Sequence, residues 1–167
     1  MLSLLKRGGY LKPITVVLSL LLVVMLAFCA FFYVGGTLRA DAQSVSANAA
    51  SYPEAFKTIA DTIANGSAPL VFSTEAPTDA SQYTLFDINV ALTNRGVFDA
   101  EWLNISMEPA SGDVAVYSLT GNGLDVAVRS SQQVNLKLLT RAGSASKRRV
   151  TVQYYVYGIS RTIAFTV

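Results

Sequence analysis

Few side chains in this 167-residue sequence are of the types that carry out catalysis. The chain has no histidine, which removes the most common general base and the most common zinc ligand. Its single cysteine, Cys29, lies in an apolar stretch and has no second cysteine for an internal disulfide. Neither glycine-rich phosphate motif, G-x-x-x-x-G-K-[ST] or G-x-G-x-x-G, is present. We therefore expect a protein that is not an enzyme and that needs no cofactor.

Carboxylates are the remaining candidates for catalysis or metal binding. Asp99 and Glu101 are close in sequence, whereas Asp87, Asp113 and Asp125 are scattered. Calcium is held by about six to eight converging oxygen atoms, and acid–base catalysis needs two groups held together. A D-x-E pair supplies two side chains at most. We expect solvated charges on strands and loops, no metal site and no small-molecule substrate.

Lys147, Arg148 and Arg149 form the one cluster of like charges. The cluster precedes a predicted strand, where it either binds an anionic partner, such as lipid headgroups or a cell-wall polymer, or protects a sheet edge from aggregation. Acidic residues slightly outnumber basic ones from Gln43 onward. This balance argues against a nucleic-acid partner, because surfaces that bind nucleic acids are strongly basic.

Three aromatic residues are predicted on the outward side of strands. Trp102 precedes Leu103, and Tyr155 and Tyr157 alternate with the apolar positions of the last long run. Together they form either an aromatic docking face or a cover for the domain, with Trp102 folded over its end. Asn65 and Asn104 each begin an N-x-S sequon and are candidate glycosylation sites outside the membrane.

A long apolar run near the N-terminus predicts a membrane anchor. Ile14–Val34 contains 21 residues without a charge. As a helix the run spans roughly 30 Å, the thickness of the hydrocarbon core of a bilayer. Basic residues precede it, so residues 1–13 are predicted to be cytoplasmic, residues 14–34 to cross the bilayer, and the remainder to be extracytoplasmic.

Two cleavage sites are compatible with the sequence near this run. Ala40-Asp41-Ala42 fits a signal-peptidase site, although the apolar run is longer than that of an ordinary signal peptide. Lys6-Arg7-Gly8-Gly9 resembles the short leader that prepilin peptidases remove after the last glycine. A retained anchor is the first interpretation.

The segment 35–66 is predicted to be a connector. Residues 35–50 are rich in Gly, Ala, Ser and Gln, which is typical of a flexible or lightly helical stalk. Ser51 and Glu54 fit a capping box, and Phe56, Ile59, Ala60 and Ile63 follow at helical spacing until Gly66. We expect a short amphipathic helix against the domain, and we expect residues 51–167 to fold without the stalk.

Residues 67–167 are predicted to form an antiparallel, immunoglobulin-like or fibronectin-III-like β-sandwich of about seven strands. Short runs that alternate apolar and polar residues are separated by Gly, Asn and Pro turns, and no helical pattern lies between them. The predicted inward positions include Phe86–Leu92, Leu103–Met107, Leu124–Val128, Val134–Leu138, Val150–Val156 and Ile163–Val167.

Parts of this domain resemble known sandwiches. Tyr83–Arg95, closed by Gly96, and Val97–Met107 resemble the second and third strands of fibronectin-III-like or late-embryogenesis-abundant-type modules. Ser130–Leu138 followed by Arg148–Val156 is similar to the strand pairs before the last hairpin of such modules. The whole layout resembles membrane-anchored archaeal surface proteins, including stator subunits of the archaeal motility filament. The resemblance implies a surface protein.

Two functions follow as expectations. The first is a membrane-anchored structural or binding module that contacts another component of the cell envelope or a second copy of itself. The second is a pilin-like or archaellum-type subunit, filament or stator, whose N-terminal helix serves in assembly. The departure from a pilin pattern is Lys12-Pro13, early in the mature segment, without an acidic residue near its start.

Overall fold

The computed structural model describes residues 8–34, 37–73 and 75–167, with backbone alone at 8–12 and 32–34. It begins with helix α1, Gly8–Val34. Within α1, Pro13–Phe31 is long and apolar enough to cross a membrane, and none of it is buried against the rest of the chain. A signal sequence meets the same criterion. Lys6 and Arg7 of the predicted basic N-terminus lie outside the described residues.

Two antiparallel sheets follow α1 and form the predicted sandwich. The first has five strands in the order β1-β3-β6-β5-β2, and the second has three in the order β4-β7-β8. The bounds are β1 Leu38–Asn48, β2 Leu70–Val71, β3 Tyr83–Asn94, β4 Glu101–Met107, β5 Asp113–Thr120, β6 Ser131–Arg141, β7 Arg149–Val156 and β8 Ile159–Thr166. The fold class is thus confirmed: an apolar helix precedes an all-β, immunoglobulin-like domain.

The main core lies between the two sheets. Alternate residues of β3, β4, β6 and β7 point into it, and most of them are almost completely buried. Predicted inward residues with this burial include Ile88, Leu103, Leu136 and Val152. Because side chains of a strand alternate between its faces, the residues between them point outward.

A second core forms on the other face of the five-stranded sheet. Helix α2, Pro53–Ala64, places Phe56, Ile59 and Ile63 against Tyr83 and Leu139. The predicted amphipathic helix against the domain is confirmed. Its predicted capping box is wrong, because Tyr52 occupies the N-cap position without a side-chain hydrogen bond and Ser51 belongs to a preceding 3₁₀ turn.

The predicted stalk is instead the first strand of the sandwich. β1 pairs with β3 over its whole length, from Leu38 opposite Asn94 to Asn48 opposite Thr84. Small and polar residues suffice here because most of β1 is exposed at the sheet edge, while Leu38 is buried in the core. The domain therefore begins at Leu38 and not at residue 67, and only residues 35–37 separate it from α1.

The alternation at Leu124–Val128 does not produce a strand. Val126 is buried and forms an isolated bridge with Ala100, whereas Leu124 and Val128 are exposed. Asp99 and Asp125 bind backbone N–H groups on either side of this bridge, at Val128 and Trp102, each at 2.8 Å. Backbone bonds join Ala100 to Val126 and Leu103 to Leu124, and the two carboxylates, which were expected only to be solvated charges, add to this short ladder.

Candidate contact surface

Arg148 is a structural residue and does not belong to a contact surface. Its side chain is 2% exposed, and it forms a bidentate ion pair with the fully buried Asp113, with Nη2–Oδ1 2.6 Å and Nε–Oδ2 2.8 Å. Nη1 donates to the carbonyl oxygens of Ala145 and Lys147. Each charge is thereby satisfied inside the protein, so the prediction that Arg148 lies at the surface is wrong.

The other two members of the basic cluster are exposed. Lys147 points to solvent, and Arg149 lies 3.9 Å from Glu108 across neighbouring strands, with both side chains more than half exposed. Because Arg148 is buried, the basic cluster has two exposed cations, and one of them, Arg149, lies beside a carboxylate. An anion-binding patch at 147–149 is therefore not formed by the described residues.

Trp102 is 71% exposed, which decides between the two sequence interpretations: it does not fold over the end of the sandwich. It occupies a β-bulge, because β4 shifts register against β7 between Glu101 and Asn104. Its φ is +54°, a conformation unusual for a bulky residue. The Trp102 N–H donates to Asp125 Oδ1 at 2.8 Å, and this bond holds the unusual backbone in place.

A groove of about 340 Å³ lies beside Trp102 on the outer face of the three-stranded sheet. Its lining contains no charged side chain; it consists of Trp102, Leu103, Asn104, Asn122, Gly123, Gln153 and Tyr155. Asn122 Oδ1 accepts from the Ile105 N–H at 2.8 Å, and Gln153 Nε2 donates to Ser160 Oγ at 2.9 Å. Hydrogen bonds to the neighbouring strands therefore fix the amides of Asn122 and Gln153.

Tyr157 lies apart from this groove, at the tip of the β7–β8 hairpin. Tyr157 and Gly158 have φ of +50° and +72°, as a two-residue type I′ turn requires. The Tyr157 ring meets Phe98 edge-on at 4.6 Å, and Phe98 meets Phe31 of α1 at 5.7 Å. Tyr157 is nevertheless 67% exposed. The structure thus brings Trp102 and Tyr155 together and places Tyr157 beside the helix.

The end of the sandwich that faces α1 carries other exposed apolar residues. Val97 and Val128 lie in loops at this end, and Ile159 follows the hairpin turn; they are 43%, 38% and 55% exposed. Buried Asn94 organises the end, because its Nδ2 donates to the carbonyls of Phe98 and Val126 at 2.8 and 2.9 Å. The sequence showed Asn94 only as a turn residue before Gly96.

Both sequon asparagines are exposed. Asn65 caps the C-terminus of α2, and Asn104 faces outward on β4, in the lining of the groove. Sequence reasoning singled out Asn104 for its sequon and missed Asn122 and Gln153, which lie in a turn and on another strand. The outward position of Gln153 on an alternating strand was the only available signal.

In the part of the chain that the structure describes, neither a metal-binding group nor a residue with a shifted pKa lines the groove. Among the described residues, no three Asp, Glu or Cys side chains are grouped to hold a metal ion. Hydrogen bonds from Ser81 lower the pKa of Asp79, which begins a 3₁₀ turn. Burial, followed by the nearby charge of Asp87, raises the pKa of the Tyr117 phenol. Neither residue lines the groove.

No family model matches the chain, and no curated protein matches it. Among solved structures, a crystal structure of the yeast GGA1 GAE domain (GGA1_GAE domain-P21) is similar, with a TM-score of 0.37 and 9% identity. The match covers 54% of this chain and 93% of that one. The fold assignment above depends on the strand pairing of the chain itself.

Proposed function

We propose that this protein is a non-enzymatic, membrane-anchored β-sandwich that binds another component of the cell envelope from the extracytoplasmic side. The observation that carries the proposal is α1: its apolar segment Pro13–Phe31 is not buried by the rest of the chain, although only residues 35–37 separate the end of α1 from the folded domain. An uncovered apolar surface of this size needs a lipid or protein environment.

The end of the domain next to α1 supports the anchored arrangement. Three connecting residues span at most about 14 Å, so Leu38 and its neighbours stay close to the end of the helix. Tyr157 and the exposed aliphatic residues Val97 and Ile159 lie at this end. Tyrosine and apolar side chains are favoured in the headgroup layer, which suits a domain that stands on the bilayer surface.

Retention of the helix is supported by β1. Cleavage after Ala42 would remove Leu38–Ala42, which pair with Val90–Asn94. Loss of half an edge strand would expose the β3 edge and open the core next to Leu38. Lys6 and Arg7 before the helix favour a cytoplasmic N-terminus and a domain on the opposite side.

Fractionation of cells that express the full-length chain tests the proposal. We expect the protein to remain with membranes after high-salt and carbonate washing, to dissolve in detergent, and to lose its β-domain to external protease on intact cells. A variant that carries Leu20→Arg and Val24→Arg is the control, since two central arginines oppose insertion. Release of the intact, full-length protein into the medium would contradict the anchor.

A filament subunit is the second candidate, and the same exposed helix favours it. In a pilin-like assembly the apolar helices pack on one another after a peptidase removes a leader that ends at Gly9. Lys12 would then enter a helix core, where an unpaired ammonium is costly, whereas at a bilayer surface it extends to the headgroups. The anchored module is therefore preferred.

A further inference from the structure

We propose that the groove beside Trp102 is a binding site for a neutral saccharide chain of the cell envelope. The inference deepens the proposed function, because it names the chemistry of the bound component. The proposed function determines only the cellular location in which the ligand would be found. The geometry of the groove stands independently of whether α1 is retained in a membrane.

The backbone conformation and the exposure of Trp102 are both unfavourable, and folding of the sandwich does not require either. A positive φ is unfavourable for a bulky residue, and 71% exposure leaves most of a large apolar ring in water. The bulge and the bond to Asp125 hold Trp102 in this conformation and in this exposed position. Bulges and unusual backbone conformations are concentrated at functional sites, where they aim a side chain.

The groove is lined by side chains without charge. Asn104, Asn122 and Gln153 supply amide groups, and Tyr155 adds a second ring that is 37% exposed. On the adjoining strand, Ser160 lies opposite Tyr155 and Thr162 lies opposite Gln153, which extends the polar surface with hydroxyls. Two carboxylates lie close to the groove without lining it: Asp125 accepts from the backbone of Trp102, and Glu101 lies opposite Tyr155 on the neighbouring strand.

This combination matches a neutral sugar better than other ligands. A pyranose has one apolar face of C–H groups, which stacks on an aromatic ring, and a rim of hydroxyls that both donate and accept hydrogen bonds. Amides also donate and accept, so they suit such a rim. A phosphate or carboxylate ligand would need cations, which the lining lacks, and a lipid chain would cover amide groups to which it cannot hydrogen-bond.

Trp102 is the only tryptophan of the chain, so its fluorescence reports directly on the groove. The full-length protein would be produced in a host without N-glycosylation, so that Asn104 carries no sugar, and placed in phosphatidylcholine nanodiscs. It would be titrated with neutral oligomers of hexoses and of N-acetylhexosamines, and with uronic-acid oligomers as charged probes. Detergents with sugar headgroups are avoided because they compete.

We expect a saturable change in Trp102 emission with a neutral oligomer and a weaker response to uronic-acid oligomers. In calorimetric titrations of the same oligomer, Trp102→Ala should weaken binding about tenfold or more, because the stacking surface is lost. Asn104→Ala should weaken it less. Tyr52→Ala is the matched control, since Tyr52 is 54% exposed but adjoins α2, and it should bind as the wild type does.

The proposal is overturned if no neutral oligomer binds up to about 10 mM, beyond the millimolar range of weak sites, while circular dichroism shows a folded domain. It is also overturned if Trp102→Ala binds normally, or if uronic-acid oligomers bind more tightly. Strong quenching of Trp102 by brominated phosphatidylcholine, without any response to sugars, would instead assign the ring to the bilayer. None of these results bears on the fractionation experiment.

Discussion

At the residue scale, the buried Arg148–Asp113 pair is the feature on which the distal end of the sandwich depends. Asp113 begins β5, Arg148 directly precedes β7, and the Ala110 N–H adds a third bond to Asp113 at 2.7 Å. The guanidinium also lies 5.9 Å from the centre of the Phe86 ring. The pair therefore links strands of both sheets through charges that water does not reach.

Asp113→Asn should lower the free energy of unfolding by about 3–5 kcal/mol, because it leaves the Arg148 charge buried without its counter-ion. Urea unfolding followed by circular dichroism measures the change. Arg149→Met, next to it in sequence, is the control and should cost less than about 1 kcal/mol, since its pair with Glu108 is solvated. Equal effects of the two substitutions would show that Arg148 is not buried as described.

Tyr117 gives a residue-scale prediction for pH. Burial raises the pKa of its phenol in the folded state, so the unfolded chain loses this proton first as the pH rises. The stability that the neutral phenol contributes is present below the unfolded pKa of about 10 and is lost as the pH rises toward the folded value. Tyr117→Phe should flatten this part of the stability profile above pH 10. Coincident profiles would contradict the shift.

At the element scale, β1 decides where the domain begins. Its 11 residues cover one edge of β3, and the Leu38 N–H lies 3.4 Å from Tyr154 Oη across the core. Because β1 belongs to the sheet, the expectation from the sequence that residues 51–167 fold by themselves is revised. Residues 37–167 should unfold cooperatively, whereas residues 51–167 should aggregate or lack a transition, because the β3 edge and the core are exposed. Thermal scans of both fragments measure this. A normal transition in the shorter one would make β1 dispensable.

The two faces of β4 give a matched pair of substitutions. Ile105→Asp places a carboxylate in the core without a partner and should prevent folding, since Ile105 is 3% exposed. Asn104→Asp, one residue earlier, is nearly isosteric and outward, and should change the melting temperature little. Near-ultraviolet circular dichroism and thermal unfolding distinguish them. The reverse ranking would mean that the register of β4 is shifted by one residue.

At the scale of the whole molecule, the central question is what covers α1. In the anchored arrangement lipid covers its apolar side chains, and the helix satisfies its own backbone hydrogen bonds. In a filament the covering surface is other copies of α1, and the leader must first be removed.

Gly9→Val separates these two states. We expect it to leave the apparent mass and the membrane location unchanged, because an anchor requires no cleavage. Immunoblots of fractionated cells and electron microscopy of cell surfaces provide the measurements. The control is Gly8→Val, next to the proposed cut and not at it. A larger product only in Gly9→Val, together with loss of surface filaments, would favour the pilin-like function.

Features that depend on local periodicity could be predicted from the sequence. The apolar run of 21 residues predicts a helix by its length, and alternation predicted the inward faces of β3, β4, β6 and β7, because side chains of a strand point to opposite sides. Phe56, Ile59 and Ile63 predicted the buried stripe of α2 for the same reason. Each of these patterns can be recognised within a short run of consecutive residues.

Contacts between residues that are distant in the sequence could be seen only in the folded domain. β1 has no apolar alternation of its own and is a strand because β3 offers it a hydrogen-bonding edge. Arg148 is buried because Asp113, 35 positions away, provides a counter-ion there. Alternation predicted that Trp102 points outward, but that it stays exposed and does not fold over the end of the sandwich follows from its backbone at the bulge, which Asp125 holds from 23 positions away. Each outcome is set by contacts between residues distant in the sequence, whose free energies exceed local conformational preferences. Such contacts cannot be recognised from periodicity.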